Sequence, residues 1–273
     1  MLSLLLSRTA GAATLLPSLH SNKMNESPRA RKAAAIVSRA GEVRRQVLSA
    51  DGRTKLNPRP DKEFYDYPRL VKHVDDGFIE SLTETYRERV EGEGAEVLDL
   101  MSSWVSHLPA EIRYRRVVGH GLNAGELARN PRLDRFFVQD LNVDHRLPLG
   151  SATFDAVLCA VSVQYLQQPE QVFAEVFRVL KPGGVFIVSF SNRMFYDKAI
   201  SAWRDTSDYG RIQLVVQYFQ CVSGFTEPEV LRGMPRKQDD LSPLTWIKRL
   251  IGKLNSDPFY AVISYKNVRP IKD

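Results

Sequence analysis

Chemistry in this chain has to come from acids, bases and hydroxyls gathered by folding, because no metal or nucleophile motif is written in it. The five histidines are scattered, and no His/Cys pair has the spacing of a ligand set. No G-x-S-x-G elbow is present, which removes a serine-hydrolase reading. The run Val117–Asn123, VVGHGLN, lacks the G-x-G-x-x-G that a dinucleotide site places after its first strand. Cys159 and Cys221 are too few for a disulfide framework and read as two reduced core thiols. What remains are polar groups where β-prone runs end: Asp99 ahead of Ser102 and Ser103, Asp140, and the pair Asn192 and Arg193. Arg193 could take a substrate carboxylate or phosphate, or equally a helix C-terminus. Ser102 or Ser103 can cap a helix running into WVSHLPAEI, which Pro109 would bend or end.

Those groups need a scaffold, and Phe136–Ser191 supplies its plan. Three apolar runs lie in it, Phe136–Val138, Ala156–Val163 and Val185–Phe190. Between the last two, Val172, Val176 and Val179 share a helical stripe with Phe173, Phe177 and Leu180. Lys181-Pro182-Gly183-Gly184 then stops the helix and turns the chain into the next strand. Strand, helix and strand with a tight return make a parallel crossover unit, so the fold is α/β. Upstream, Ala95–Leu100 and Arg116–Gly119 read as strands, and Leu122–Arg129 as a helix stopped by Asn130-Pro131. Helical spacing within residues 63–90 predicts one or two helices broken near Gly77. Downstream, Asp208–Val222 reads as a helix and Glu229–Arg232 as a short strand. Residues 236–257 read as an inserted loop and helix, and Pro258–Lys266 as a last strand.

Charge divides the chain. Residues 1–60 carry 11 Lys and Arg against 3 acids, the remainder 27 against 29. The near-neutral remainder gives no reason to expect nucleic acid. The first 25 residues hold no acid, many Ser, Leu and Ala, and a single arginine, Arg8, as an organellar transit peptide does. Mitochondrion is slightly favoured over chloroplast. A secretory signal fits less well, since no Lys or Arg precedes the apolar run. No run reaches the roughly 18 apolar residues of a membrane span. Arg29–Ala50 reads as a basic amphipathic helix with Ile36, Ala40, Val43 and Val47 on one face. Asn57-Pro58-Arg59-Pro60 reads as a stiff boundary. The expected divisions are a targeting and linker segment over 1–56, a helical lid over 57–94 and the main domain over 95–273. Leu244, Ile247, Leu250 and Leu254 beside Lys248, Arg249 and Lys253 could make weak contact with a membrane surface, or simply pack on the sheet.

The order EVLDL, VVGHGLN, FVQDLN, FDAVLCAVSVQYL, EVFRVLKPGGVFIVSFS resembles the class I S-adenosylmethionine-dependent methyltransferases, from about Glu96 to Ser191 and more loosely to Lys266. The resemblance implies a Rossmann-like sheet of seven strands, mostly parallel with an antiparallel last strand, and helices on both faces. It also implies S-adenosylmethionine bound across the carboxyl ends of the first strands. The turn DLMSSWVSHLP, with SFSNRMF after the fifth strand and PRLVKHVDD upstream, is similar to a type 11 methyltransferase-like subgroup of plants, algae and bacteria.

Two departures bear on the cofactor. The family's turn after the first strand is D-x-G-x-G-x-G, whereas here Asp99-Leu100 runs into Met101-Ser102-Ser103-Trp104-Val105. A Met101 or Trp104 side chain filling the hollow would leave no place for a nucleoside. The acid that holds the family's ribose hydroxyls is replaced by Gly121.

The resemblance implies cofactor contacts from Asp99, Ser102, Ser103, Asn123, Asp140, Leu141 and Val161. Asp140 matches the acid that bonds the adenine amino group. Asn123 could take a ribose hydroxyl or merely cap a helix. Base candidates come from the lid, His73 first, then Asp76 and Tyr65. Asn192 and Arg193 are the substrate candidates. The expected function is methyl transfer to a small-molecule acceptor in an organelle; the rival is a catalytically inactive methyltransferase-like binding or assembly protein.

Overall fold

The computed structural model describes residues 40–233 and 256–267. Seven strands form one sheet: β1 (Glu96–Asp99), β2 (Arg116–Gly121), β3 (Arg135–Val138), β4 (Phe154–Ala160), β5 (Leu180–Phe190), β6 (Glu229–Arg232) and β7 (Tyr260–Tyr265). Their order across the sheet is β3-β2-β1-β4-β5-β7-β6. The first five pair in parallel, and β7 runs antiparallel to both neighbours.

Period-two alternation gives the sheet two dry faces. Val97, Val117, Ala156, Leu158, Val185 and Ile187 point to one face, where α2 (Asp76–Arg89) lays Phe78, Leu82 and Tyr86 on them. Leu98, Val118, Val157, Cys159, Phe186 and Val188 point to the other, under α4 (Pro169–Val179) and α6 (Asp208–Gln220). Three short helices complete the set: α1 (Asp61–Phe64), α3 (Ala124–Leu127) and α5 (Ser201–Arg204).

Four local readings change. Gly77 does not break the lid helix; it lies in its first turn, because Asp75 accepts from the Phe78 amide at 2.8 Å and starts α2 just before it. Lys181–Gly184 is part of β5, not a separate turn, with Gly183 at φ 81° and a register shift opposite Phe154/Ala156. No helix follows the serines: residues 100–115 are irregular. Met101 and His107 there hold φ of 56° and 54°, a conformation that no α-helix contains. Nor is residues 40–50 helical, since Val43 bridges Val222 in extended form. The rest of the reading for Arg29–Ala50, and the helix read around Leu244–Leu254, lie outside the described residues.

The stretch from Gly41 to Asn57, read as linker, packs on the domain. Backbone bonds join Gly41 to Ser223, Arg44 to Cys221 and Asn57 to Asp197. Arg53 grips the fully buried Glu170 carboxylate at 2.8 and 2.9 Å. Burial alone would raise that carboxyl; the Arg53 fork and the Leu48 and Val47 amides bring it below its ordinary value.

Candidate active site

Strand order reverses between β1 and β4, and a cavity of about 260 Å³ opens there at the carboxyl ends of the strands. This is where open α/β sheets bind ligands. The volume is near the lower end for small-molecule sites, about 300 Å³. Residues 65–75, between α1 and α2, form a strap across it.

The floor is the glycine-free turn. Met101 keeps the left-handed backbone that glycine would adopt freely, and that costs of order 1–3 kcal/mol in a non-glycine residue. Surrounding bonds hold it there. The Met101 amide donates to His120 Nδ1 at 3.1 Å, and the Ser102 amide to the His120 carbonyl at 2.6 Å. His120 Nδ1 therefore accepts, so Nε2 carries the proton and donates to the Gln139 carbonyl at 2.9 Å. Burial drives the His120 pKa down to about 4, against the pull of that bond. The Ser102 hydroxyl donates to Asp99 at 2.5 Å. Desolvation raises Asp99 to about 6, opposed by Ser102 and Ser106.

Neither bulky side chain fills the hollow. Trp104 turns to the strap and donates its indole N–H to the Val71 carbonyl at 3.2 Å. Met101 packs on the core beneath. Yet the turn does displace the ribose acid: a Cβ on Gly121 would stand 2.5 Å from the Ser102 carbonyl oxygen. The two departures are one structural change. With the carbonyl there, only glycine fits at 121.

An acid does reach this corner from elsewhere. Glu126, 6% exposed, lines the cavity from α3. It accepts from the Ser103 hydroxyl at 2.8 Å and the Arg69 amide at 2.6 Å. Sequence reasoning missed it, although its place three residues after the cap Asn123 is a capping-box signal. Asn123 is that cap, accepting from the Glu126 amide at 3.0 Å, while its Nδ2 donates to the strap carbonyls of Tyr65 and Asp66.

Beyond β3, Asp140 lines the cavity and accepts from the Asn142 amide at 2.9 Å, with Leu141 buried beside it. Val161, past β4, also lines it, at φ 50°, an outlier for a β-branched residue. Asp61 closes this end. It lies between Lys55 and Lys198, both side chains at most 3% exposed, and accepts from Asn142 at 3.0 Å. Burial lowers the Lys55 pKa despite the Asp61 charge.

The strap side is aromatic. Phe195 has Tyr65 at 6.3 Å and His73 at 5.6 Å between ring centroids, both edge-on. His73 keeps an exposed edge, and partial desolvation against the cavity wall lowers it from 6.5, partly offset by Glu126, so the neutral form prevails at pH 7. Tyr65 is pushed far above its usual value, chiefly by burial. His107 falls to about 4 for the same reason, reinforced by Lys72 and His73. Three candidates serve elsewhere. Asp76 is exposed and pairs with Lys72, Asn192 is exposed outside the lining, and Arg193 lines the mouth but pairs with Asp257 at 2.7 Å. Asp257 and Asp75 exchange amide bonds, which fastens the start of β7's approach to the cap of α2. Among the described residues no group of three or more His, Cys, Asp or Glu is placed to hold a metal.

The buried charges at the floor set opposing pH dependences. Asp99 holds its proton up to about 6 when folded but only to 3.8 as the ordinary group, so its ionisation costs stability as pH rises through that window. His120 refuses a proton down to about 4 that the unfolded chain takes below 6.5, so it adds stability with rising pH. Asp99→Asn removes only the opposing part. The urea-unfolding free energy of the variant should climb more steeply between pH 4 and 6, by up to about 1.4 kcal/mol per pH unit. An unchanged slope would show that Asp99 is not titrating as placed.

A sheet in this order, with a reversed seventh strand and a cavity at the switch point, defines the fold of the class I S-adenosylmethionine-dependent methyltransferases. Comparison with known proteins points the same way: residues 104–188 match the family model described as a methyltransferase domain. A Mycolicibacterium smegmatis protein named probable S-adenosylmethionine-dependent methyltransferase is 38% identical over 96 residues, 34% of this chain and 34% of that one. The Biotin biosynthesis bifunctional protein BioHC of Teredinibacter turnerae is 33% identical over 66 residues, 24% of this chain and 12% of that one. The chain thus spans about a third or less of the length of the curated relatives it matches. Among solved structures, an S-adenosylmethionine dependent methyltransferase from Mesorhizobium loti aligns at TM-score 0.45 and 18% identity, over 67% of this chain and 96% of that one. The [4+2]-cyclase SpnF aligns at 0.47 and 16%, over 69% and 81%.

Proposed function

We propose that the chain binds S-adenosylmethionine in this cavity and transfers its methyl group to a small-molecule acceptor. The observation that carries the reading is the cavity at the strand reversal, lined by the carboxylates Asp140 and Glu126 and by a histidine, His73, that is held neutral. Asp140 would accept from the adenine amino group. Glu126, reaching in from α3, would accept from the ribose hydroxyls, since a carboxylate that accepts from the Ser103 hydroxyl and the Arg69 backbone amide keeps lone pairs in hand. When bound, the sulfonium supplies the methyl group: the acceptor's nucleophile bonds to that carbon as the sulfur–carbon bond breaks, leaving a neutral thioether.

The protein's part is to align acceptor and methyl, exclude water and remove a proton. Tyr65, Trp104, Met194 and Phe195 exclude water on the strap side. His73, already uncharged, would take the acceptor's proton. In single-turnover assays His73→Asn should slow transfer while cofactor affinity holds; equal rates would return the base to another group.

Calorimetry with S-adenosylmethionine and S-adenosylhomocysteine on the full chain tests the cofactor. No heat at millimolar ligand would remove the enzyme reading and leave the non-catalytic one. Asp140→Ala should weaken binding by about 1–3 kcal/mol, the scale of an unsatisfied polar partner; an unaltered affinity would place the adenine elsewhere. Delivery to an organelle, mitochondrion ahead of chloroplast, is supported by the acid-free first 25 residues. A fluorescent fusion of residues 1–60 spread through the cytosol would dismiss it.

A further inference from the structure

Three cations line the cavity, and two are already paired. Lys72 meets Asp76 at 2.6 Å, and Arg193 meets Asp257 at 2.7 Å. Arg69 has no carboxylate within ion-pair distance among the described residues. Its guanidinium lies over the Phe64 ring at 4.3 Å, within 5.6 Å of the Tyr65 and Phe195 centroids, and among the described residues it makes one side-chain hydrogen bond, from Nη1 to the Phe64 carbonyl at 2.8 Å. A half-buried guanidinium with most of its five donors unused is a fork without a partner. Around it the cavity is lined by Asp99, Glu126 and Asp140, which would repel any carboxylate entering without a counter-charge. A helix N-terminus after the first strand could have supplied one, but residues 100–115 form no helix.

We propose that Arg69 is the carboxylate-binding residue of this cavity, its fork taking the two oxygens of a ligand carboxylate while its stem stays on the aromatic rings. Such a carboxylate has two sources. One is the amino-acid end of the cofactor, for which the inference rests on the methyltransferase reading. The other is the acceptor, which would then be a small acid with an apolar body suited to Tyr65, Trp104 and Phe195.

Matched probes on the full chain separate these sources. S-adenosylhomocysteine carries the carboxylate and 5′-methylthioadenosine lacks it; benzoate carries one and benzamide does not. Arg69→Met keeps an apolar stem on the rings and removes the fork. It should weaken at least one carboxylate probe by about tenfold or more, leave the neutral partner within about twofold, and be partly rescued by Arg69→Lys. A loss confined to S-adenosylhomocysteine assigns the cofactor's carboxylate, and one confined to benzoate assigns the acceptor's. Carboxylate probes that bind Arg69→Met as they bind the wild type overturn the proposal. So do equal losses of charged and neutral probes, which would mean that the strap had collapsed, and so does a wild type that binds neither carboxylate at millimolar concentration. Failure of both adenosine compounds on the wild type defeats the cofactor reading instead, and benzoate against benzamide then judges Arg69 alone.

Discussion

Arg53→Met should cost about 3–5 kcal/mol of folding stability, the range for removing one partner of a buried ion pair. The residue lies in the stretch over 1–56 that reads from its composition as a targeting segment and basic linker, so a large stability cost there is a sharp expectation. Glu170 is fully buried at the second position of α4. Its Oε1 accepts from the Val47 amide at 2.8 Å, the Leu48 amide at 3.1 Å and Arg53 Nη2 at 2.8 Å, and its Oε2 from Arg53 Nη1 at 2.9 Å. Arg53 also donates to the Gln167 and Leu48 carbonyls. Methionine would leave the carboxylate with two amides and no counter-charge. Since the folded carboxyl titrates below its ordinary 4.5, the stability it gives is present above that value and lost as pH falls through the lower one. The deficit should therefore be largest near neutrality and shrink on acidification. Adding Glu170→Gln to Arg53→Met should recover part of it, because the orphaned charge goes too. Urea unfolding at pH 7 and pH 4 measures all three; a deficit below about 1 kcal/mol, as for a surface pair, would mean that residues 40–56 are only draped on the domain.

That stretch shows why parts of the molecule were not legible in the sequence. Strands were, because β4 and β5 are apolar on both faces and their runs need no partner to be recognised. The sheet's order came through the resemblance. Arg53 was not singled out because its partner lies 117 positions away, and a run of basic residues looks alike whether solvated or paired. The turn after β1 was misread for a local reason. Serine hydroxyls expected to cap a helix bond elsewhere, Ser102 back to Asp99 and Ser103 to Glu126, and side chains so engaged compete with helix formation. At the site, His73, Tyr65 and Asp140 do line one cavity, while Asp76 and Asn192 do not. Glu126 carried a spacing signal that could have been used. Arg69 carried none, since what makes it informative is that no carboxylate among the described residues lies within ion-pair distance of it in three dimensions.

The coupling between the turn and Gly121 leads to a counter-intuitive result. Restoring the family's acid by Gly121→Asp should not improve cofactor binding but abolish it, and should destabilise the fold at the upper end of the overpacking range, about 1–3 kcal/mol. The new Cβ would sit 2.5 Å from the Ser102 carbonyl and 3.3 Å from Leu127. The carbonyl belongs to the Ser102–Ser103 peptide, and both residues are tethered: the Ser102 amide donates to the His120 carbonyl at 2.6 Å, the Ser102 hydroxyl to Asp99 and the Ser103 hydroxyl to Glu126, so swinging it away breaks these bonds. Leu127 can give by a rotamer change; the peptide cannot. Replacing Met101 and Ser102 by glycine alongside Gly121→Asp frees the turn to move, so this triple variant should bind S-adenosylhomocysteine more tightly than Gly121→Asp alone. The gain beyond the sum of the separate changes measures the coupling. If Gly121→Asp alone binds the cofactor as the wild type does, the turn is free to move and the glycine at 121 is incidental. If the triple variant gains nothing, the obstruction lies in Leu127 and the α3 packing, and Glu126 would then be displaced with it.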